Sequence, residues 1–173
     1  MNTHNESTTE KLVHAYNRMM NRAKKATGKT EKGDAPSLQH AIEAAKQEAI
    51  QLGEVSREEA EKIATYLRRD VEDAASFMNR TEQAFTDWLH FELDLIEVEL
   101  FDLFSGMVDH TRIELDRLAD QARHADEWYT GEVTGIGTLH CTHCGQALHF
   151  YATGHIPPCP KCHKTTFKRD KKA

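Results

Sequence analysis

The sequence predicts a mainly α fold, an elongated helical bundle or antiparallel coiled coil, followed by a small β module at the C-terminal end. Three observations carry this. Apolar residues recur at three- and four-residue steps over most of residues 9–122, the period of one helical face. That period is lost after Trp128, where Gly131, Gly135 and Gly137 stand among the β-branched Val133, Thr134, Ile136 and Thr138. All four cysteines lie in two pairs, Cys141/Cys144 and Cys159/Cys162, with residues 145–158 between them. Two Cys-x-x-Cys turns brought together by a hairpin supply four sulfurs at tetrahedral angles, the ligand set of a structural zinc ribbon. The chain accordingly divides into an acidic helical body, residues 1–128, and a zinc ribbon with a short basic tail, residues 129–173.

Residues 9–27 read as a first helix, with Leu12, Val13, Tyr16, Met19, Met20 and Ala23 on one face. Gly28 and Gly33 interrupt it, and Lys29, Glu31, Lys32 and Asp34 solvate the linker. Pro36 suits the first turn of a second helix, where its missing N–H costs nothing. That helix runs to about Leu52, and Gly53 is its C-terminal stop. Ser56 and Glu59 form a capping box. The ladder that follows, Ala60, Ile63, Leu67, Val71, Ala74, Met78, Phe85, Trp88 and Leu95, contains no proline. As one helix, residues 56–104 would extend about 74 Å at 1.5 Å per residue, a seam that other helices or a second copy must cover. Asn79-Arg80-Thr81 is one candidate break and Ser105-Gly106 the stronger one; the pattern ends near His124. Phe77, Phe85, Trp88, Phe91, Phe101 and Phe104 read as core, with an exposed partner groove as the alternative.

In the β module, a strand from Val133 delivers Cys141 to the first metal turn. Gln146–Ala152 forms a second strand, with Leu148 and Phe150 on one face and His149 and Tyr151 on the other. Thr153-Gly154-His155 turns the chain, Pro157-Pro158 stiffens the approach to Cys159, and Thr165–Lys168 is a short third strand.

Composition limits the function classes. The chain has 173 residues, 39% hydrophobic and 29% charged, which suits thin helical packing better than a thick core. Met1–Glu10 has no apolar signal-peptide core, and no stretch nears the roughly 20 apolar residues that span a bilayer. The expectation is a cytoplasmic protein without membrane attachment, where paired cysteines bind metal more often than they form disulfides. The net charge of −6 is unevenly spread. Residues 129–173 carry Lys161, Lys164, Lys168, Arg169, Lys171 and Lys172 against Glu132 and Asp170, a net +4 that leaves −10 on the body. An acidic body with a mildly basic tip is not the charge pattern of a nucleic-acid-coating protein.

The run from Gly131 to Leu139 into Cys141-x-x-Cys144, then Cys159-Pro160-x-Cys162, resembles the YbeL-like zinc-ribbon-containing family of uncharacterised bacterial proteins. Thr111–Leu118 and residues 52–70 are similar too. The resemblance implies four zinc ligands, Cys141, Cys144, Cys159 and Cys162, no catalytic residues, and no established activity.

Other candidate sites are weaker. Iron is the rival metal for a sulfur-rich tetrahedral site. Gly145 and Pro160 fit rubredoxin-type turns, but His163 follows Cys162 where that pattern has glycine. Thioredoxin-like chemistry uses one Cys-x-x-Cys at a helix start, and here there are two pairs beside strands. His140, His143 and His163 flank the ligands and read as solvent-facing or hydrogen-bonded to the turns; His110 and His124 read as lying on polar helix faces. Asp87 and His90 have the spacing of a di-iron carboxylate–histidine pair, but a second such pair is missing. Gly135-Ile136-Gly137 lacks the third glycine of a dinucleotide fingerprint and reads as a flexible strand entering the ribbon. No serine, cysteine or lysine is placed as an activated nucleophile. Between Thr81 and Thr111 there are eight carboxylates (Glu82, Asp87, Glu92, Asp94, Glu97, Glu99, Asp102, Asp109) and no lysine or arginine. These form a solvated helix face or a contact surface for a basic protein partner.

The sequence thus points to a non-enzymatic adaptor or regulatory protein with one structural Zn²⁺ per chain. It would act on a protein partner whose identity the sequence does not give, with homo-oligomerisation as an option. The alternative is nucleic-acid binding, with a possible transcription-associated role, by the ribbon's six basic residues with Phe150 and Tyr151. A ribbon of this size should fold on its metal while the helices stand without it.

Overall fold

The computed structural model describes residues 7–27, 36–81, 85–89, 96–117 and 127–169. Five helices and six short strands follow in order: α1 (Thr8–Thr27), α2 (Leu38–Gln51), α3 (Arg57–Thr81), α4 (Phe85–Leu89), α5 (Val98–Arg117), β1 (Trp128–Tyr129), β2 (Val133–Thr134), β3 (Gly137–Cys141), β4 (Ala147–Phe150), β5 (Gly154–His155) and β6 (Thr166–Lys168).

Helix α1 buries Ala15, Tyr16, Met19, Met20 and Ala23, the stripe its period predicts. Helix α2 begins at Leu38, two residues after the proline expected in its first turn. Ser37 is the N-cap, its side chain accepting from the His40 N–H, and Pro36 stands outside. Gly53 follows the helix at φ 66°, as its role as a stop requires. The capping box of α3 is formed in both directions. The Glu59 N–H donates to Ser56 Oγ (3.1 Å) and the Ser56 N–H to Glu59 Oε2 (2.8 Å).

The long apolar ladder is not one helix. It is divided after Thr81 and again before Val98, and the pieces fold against each other instead of extending as one rod. The break expected at Ser105-Gly106 does not occur. Gly106 lies inside α5, where the end of the Lys24 side chain from α1 lies over it, a Cβ there coming within 2.9 Å of Lys24 Cε. The expected end near His124, together with Phe91 and His90, lies outside the described residues.

Phe77, Phe85, Trp88 and Phe104 are buried, and Phe101 packs against them half-buried. Trp88 stacks on Phe85 (5.5 Å between centroids) and on Phe104 (5.7 Å). These rings belong to one core shared by all five helices, which also takes in Val133 and Ile136 from the β module. A second, smaller core holds Trp128, Leu139, Ile156 and Phe167 with the cysteines.

The β module forms two sheets. Four antiparallel strands run in the order β1-β6-β3-β4, and β2 pairs with β5 separately. The single strand expected from Val133 is therefore two strands in different sheets. Thr153-Gly154-His155, expected as a turn, supplies β5, whose Gly154 and His155 pair with Thr134 and Val133. In β4, Leu148 and Phe150 face the small core, and His149 is exposed beside Tyr151.

Gly135 and Gly137 are not a flexible entry to the ribbon. A Cβ on Gly135 would sit 2.8 Å from the Tyr16 hydroxyl and 3.0 Å from the Phe104 ring. At Gly137 (φ 136°) a Cβ would be driven into Arg169 and Trp88. Both glycines mark where the helical body presses on the β module.

Candidate metal centre

The two Cys-x-x-Cys segments fold as near copies of one another. In each, the N–H of the residue after the second cysteine donates to the carbonyl of the first: Gly145 to Cys141 and His163 to Cys159, both 2.9 Å. In each, the first cysteine's own N–H closes the turn onto the next residue, Cys141 to the Gln146 carbonyl and Cys159 to that of Lys164, again 2.9 Å. The residue after the second cysteine takes the left-handed conformation in both, Gly145 at φ 74° and His163 at φ 59°. Glycine does this freely, and histidine is one of the few other side chains found there with some frequency. The departure from glycine at 163 thus leaves the turn intact.

Antiparallel strands bring the turns together. Cys141 ends β3 and pairs with Phe167 of β6, and the Thr142 N–H and hydroxyl both donate to the Thr166 carbonyl at 3.1 Å. The four Sγ atoms all lie within 4.8 Å of one another, Cys141 to Cys162 at 3.5 Å and Cys144 to Cys159 at 3.6 Å. A disulfide would need about 2.05 Å, whereas four thiolates around zinc at about 2.3 Å stand roughly 3.8 Å apart. The donor set fits a tetrahedral metal, with all four positions supplied by protein.

Electrostatics favour thiolate at the first cysteine of each turn. Burial works against the charged form at Cys159. The N–H groups of Cys162 and Lys161, with the Cys144 and Cys162 sulfurs, outweigh it and bring that thiol down to about 6. At Cys141 burial is likewise overcome, by the N–H groups of Cys144 and His143, and its thiol is lowered. Cys162 moves the other way: the Lys164 N–H favours its thiolate, but burial and the three neighbouring sulfurs push it up to about 12. Four sulfurs this close hold their last protons tightly, and a cation among them is the natural replacement.

His143 and His163 are exposed beside the turns, as expected of residues outside a complete four-sulfur set. His140 has a partner of its own. His110 is half-buried, bonded through Nε2 to the Pro36 carbonyl and to Glu114 (both 3.1 Å), so it is not simply on a polar face. His124 lies outside the described residues.

One group read as basic tail is not surface at all. Arg169 is 4% exposed. Its Nη2 reaches Asp70 Oδ1 (3.3 Å) and Thr134 Oγ1 (3.0 Å), its Nε lies 3.6 Å from Asp73, and its guanidinium carbon sits 4.3 Å from the Trp88 ring and 5.1 Å from that of Trp128. Asp70, on α3, is fully buried. Besides Arg169 it accepts from Tyr16 Oη (2.7 Å), Trp128 Nε1 (2.9 Å), Thr134 Oγ1 (3.0 Å) and the Gly135 N–H (2.8 Å). Asp73 accepts from Trp88 Nε1 (3.0 Å). Arg69 covers the Trp128 ring at 4.9 Å and pairs with Glu132 at 2.6 Å. The Tyr16 hydroxyl, buried first of all and facing Asp70, is held well above its ordinary range and stays a donor. This network joins α1, α3 and α4 to the metal-bearing sheets.

The helical body, the four-strand sheet and the paired Cys-x-x-Cys turns define a zinc-ribbon protein whose ribbon is packed on helices. The family model described as a zinc-ribbon containing domain matches residues 5–171, and the chain belongs to that family. It is similar to the uncharacterised protein YbeL of Escherichia coli K12, with 27% identity over 128 residues, 74% of this chain and 79% of YbeL. The YbeL proteins of E. coli O6:H1 and O157:H7 match to the same extent. No solved structure matches the chain. The family and the four-cysteine cluster together indicate zinc binding. No described helix is long and apolar enough to cross a membrane.

Proposed function

We propose that this chain is a non-enzymatic adaptor or regulatory protein of the cytoplasm, held in shape by one zinc ion per chain and acting through protein contacts. The observation that carries this reading is the closed sulfur set: four protein ligands leave no position at which a metal activates water or substrate. Bound there, zinc crosslinks the two turns. The helical body offers a largely acidic contact face, with Asp87 on α4, Glu99, Asp102 and Asp109 on α5, and Glu97 just before α5 all exposed. A partner with a basic surface is the complement. At one edge of that face a cavity of about 410 Å³ between α1 and the start of α5 sets Arg18, Arg22 and Lys25 against Glu97 and Glu99, without a serine or cysteine among the described residues lining it. Affinity capture from native cytosol, compared between the wild type and Asp87→Asn/Glu99→Gln/Asp102→Asn, tests it. Loss of the captured protein in the variant is expected; unchanged capture sinks the acidic-face reading.

Nucleic-acid binding by the ribbon is the second reading. Lys161, Lys164 and Lys168 are exposed around the metal turns, with His149 of β4 beside Tyr151, the residue that follows the strand. Against it, Arg169 is committed to the interior. Lys171 and Lys172 lie outside the described residues, and the three lysines among the described ones support only weak, salt-sensitive attachment, each phosphate contact contributing about −0.9 to the slope of log affinity against log salt on duplex DNA. Fluorescence anisotropy with labelled DNA and RNA should give no binding tighter than about micromolar at physiological salt. Submicromolar binding that disappears in Lys161→Gln/Lys164→Gln/Lys168→Gln would favour this second reading over the first.

A further inference from the structure

We infer that Arg169 is a latch that makes the order of the helical body depend on the metal turns. The inference rests on the zinc-binding part of the proposed function. Arg169 directly follows β6, and the position of β6 is set by both turns. Its Phe167 pairs with Cys141, its Thr166 carbonyl takes two hydrogen bonds from Thr142, and the chain entering it leaves the second turn at Lys164, whose carbonyl is held by the Cys159 N–H. The strand is paired with β1 on its other edge, and the closed turns fix the edge and the entry that set where it delivers the guanidinium.

At the other end of that delivery are two carboxylates of α3. Asp70 and Asp73 are both buried, and Arg169 pairs with each. The indoles of Trp88 and Trp128 lie against the same guanidinium. Three further donors to Asp70, from Trp128, Thr134 and Gly135, also belong to the segment that the turns anchor. An opened turn slackens β6 and withdraws the cation. Helix α3 is then left with buried carboxylates stripped of their compensation, a far costlier state than a broken surface pair. Tyr16 shares Asp70, so the loss reaches α1 as well. A ribbon merely appended to the helices would have no such effect, and the helices would stand unchanged without metal. The burial of Arg169 argues for the opposite behaviour, in which metal occupancy is read out by α1 and α3.

The test is hydrogen–deuterium exchange of the full-length reduced protein, before and after stripping with EDTA, with metal content measured by elemental analysis in each sample. With metal bound, amides of α3 around Asp70 should exchange slowly. After stripping they should exchange at least about tenfold faster, as expected of a local opening made easier, and zinc added back should restore them. Arg169→Gln should show the faster α3 exchange while still carrying its metal, and Lys168→Gln, whose side chain is exposed, should match the wild type. If Arg169→Gln does not fold, stripping of the wild type decides alone. Loss of metal with unchanged α3 exchange overturns the latch and leaves zinc binding standing. A purified protein carrying no metal overturns zinc binding, and the latch with it.

Discussion

Asp70 has two oxygens and five donors aimed at them, three at Oδ1 and two at Oδ2. Asparagine in its place offers an NH₂ group to donors that need an acceptor and leaves Arg169 facing a neutral amide. Asp70→Asn should therefore cost about 3–5 kcal/mol, the scale of a buried pair broken from one side, read as a lower urea midpoint. A loss under about 1 kcal/mol would mean that the pair is solvated. Trp88 makes a separate demand at the same spot, being 3% exposed with its N–H bonded to Asp73. Trp88→Ala should cost about 3–5 kcal/mol, as for other buried large aromatics; a cost near zero in urea would mark Trp88 as exposed. Gly137 tolerates no side chain for two reasons, its φ of 136° and the space already filled by Arg169 and Trp88. Gly137→Ala should lose about 2–3 kcal/mol or more, with the melting temperature falling accordingly.

Two carboxylates of the helical body make opposite demands on pH. Glu54, just past α2, is held below its usual range first by its hydrogen bonds to Arg22, against burial, with Arg18 adding attraction. Its contribution is complete above the unfolded value of about 4.3 and is lost as pH falls through the lower folded value. Glu72 on α3 is raised, first by burial and then by Glu114, against Arg68. Its contribution is complete below about 4.3 and is lost as pH rises through the higher folded value, so at neutral pH its charge is a cost. Glu72→Gln should raise the melting temperature at pH 7 and leave it unchanged near pH 3, while Glu54→Gln should lower it at pH 7. The capped start of α3 and the apolar stripes of α1 and α3 are written in local spacing, and so are the four metal ligands, because a turn and a helical face each span a few residues. So is the first division of the long ladder, at Asn79-Arg80-Thr81, since α3 ends at Thr81; the continuation of α5 through Ser105-Gly106 is not, because a glycine in a helical pattern reads as a break until its packing is known. Asp70 did leave a trace. It stands three residues after Leu67 and four before Ala74, on the buried stripe, where a charge signals a partner. Arg169 stands two residues after Phe167, on the inward face of β6. Neither trace names the other residue, because their contact joins chain positions far apart.

At the scale of the whole molecule, charge asymmetry survives folding in altered form. The exposed acidic face belongs to α4 and α5, exposed lysines stand on the ribbon (Lys161, Lys164, Lys168) and on α1 and α3 (Lys25, Lys62), and the cation–carboxylate contacts between body and ribbon, Arg169 with Asp70 and Arg69 with Glu132, are turned inward. Acid should open the metal turns, since thiols must lose their protons to hold a cation; zinc release, followed by a colorimetric chelator, should rise as pH falls, and release independent of pH would argue against thiolate ligation. The burial of Arg169 also has an optical consequence. The chain contains two tryptophans, Trp88 and Trp128, and the guanidinium lies against both. Every photon of indole emission from this protein thus comes from the seam between helices and ribbon. The emission should be blue-shifted in the closed state and move to the red as water enters that seam, giving a reporter of the junction that needs no label.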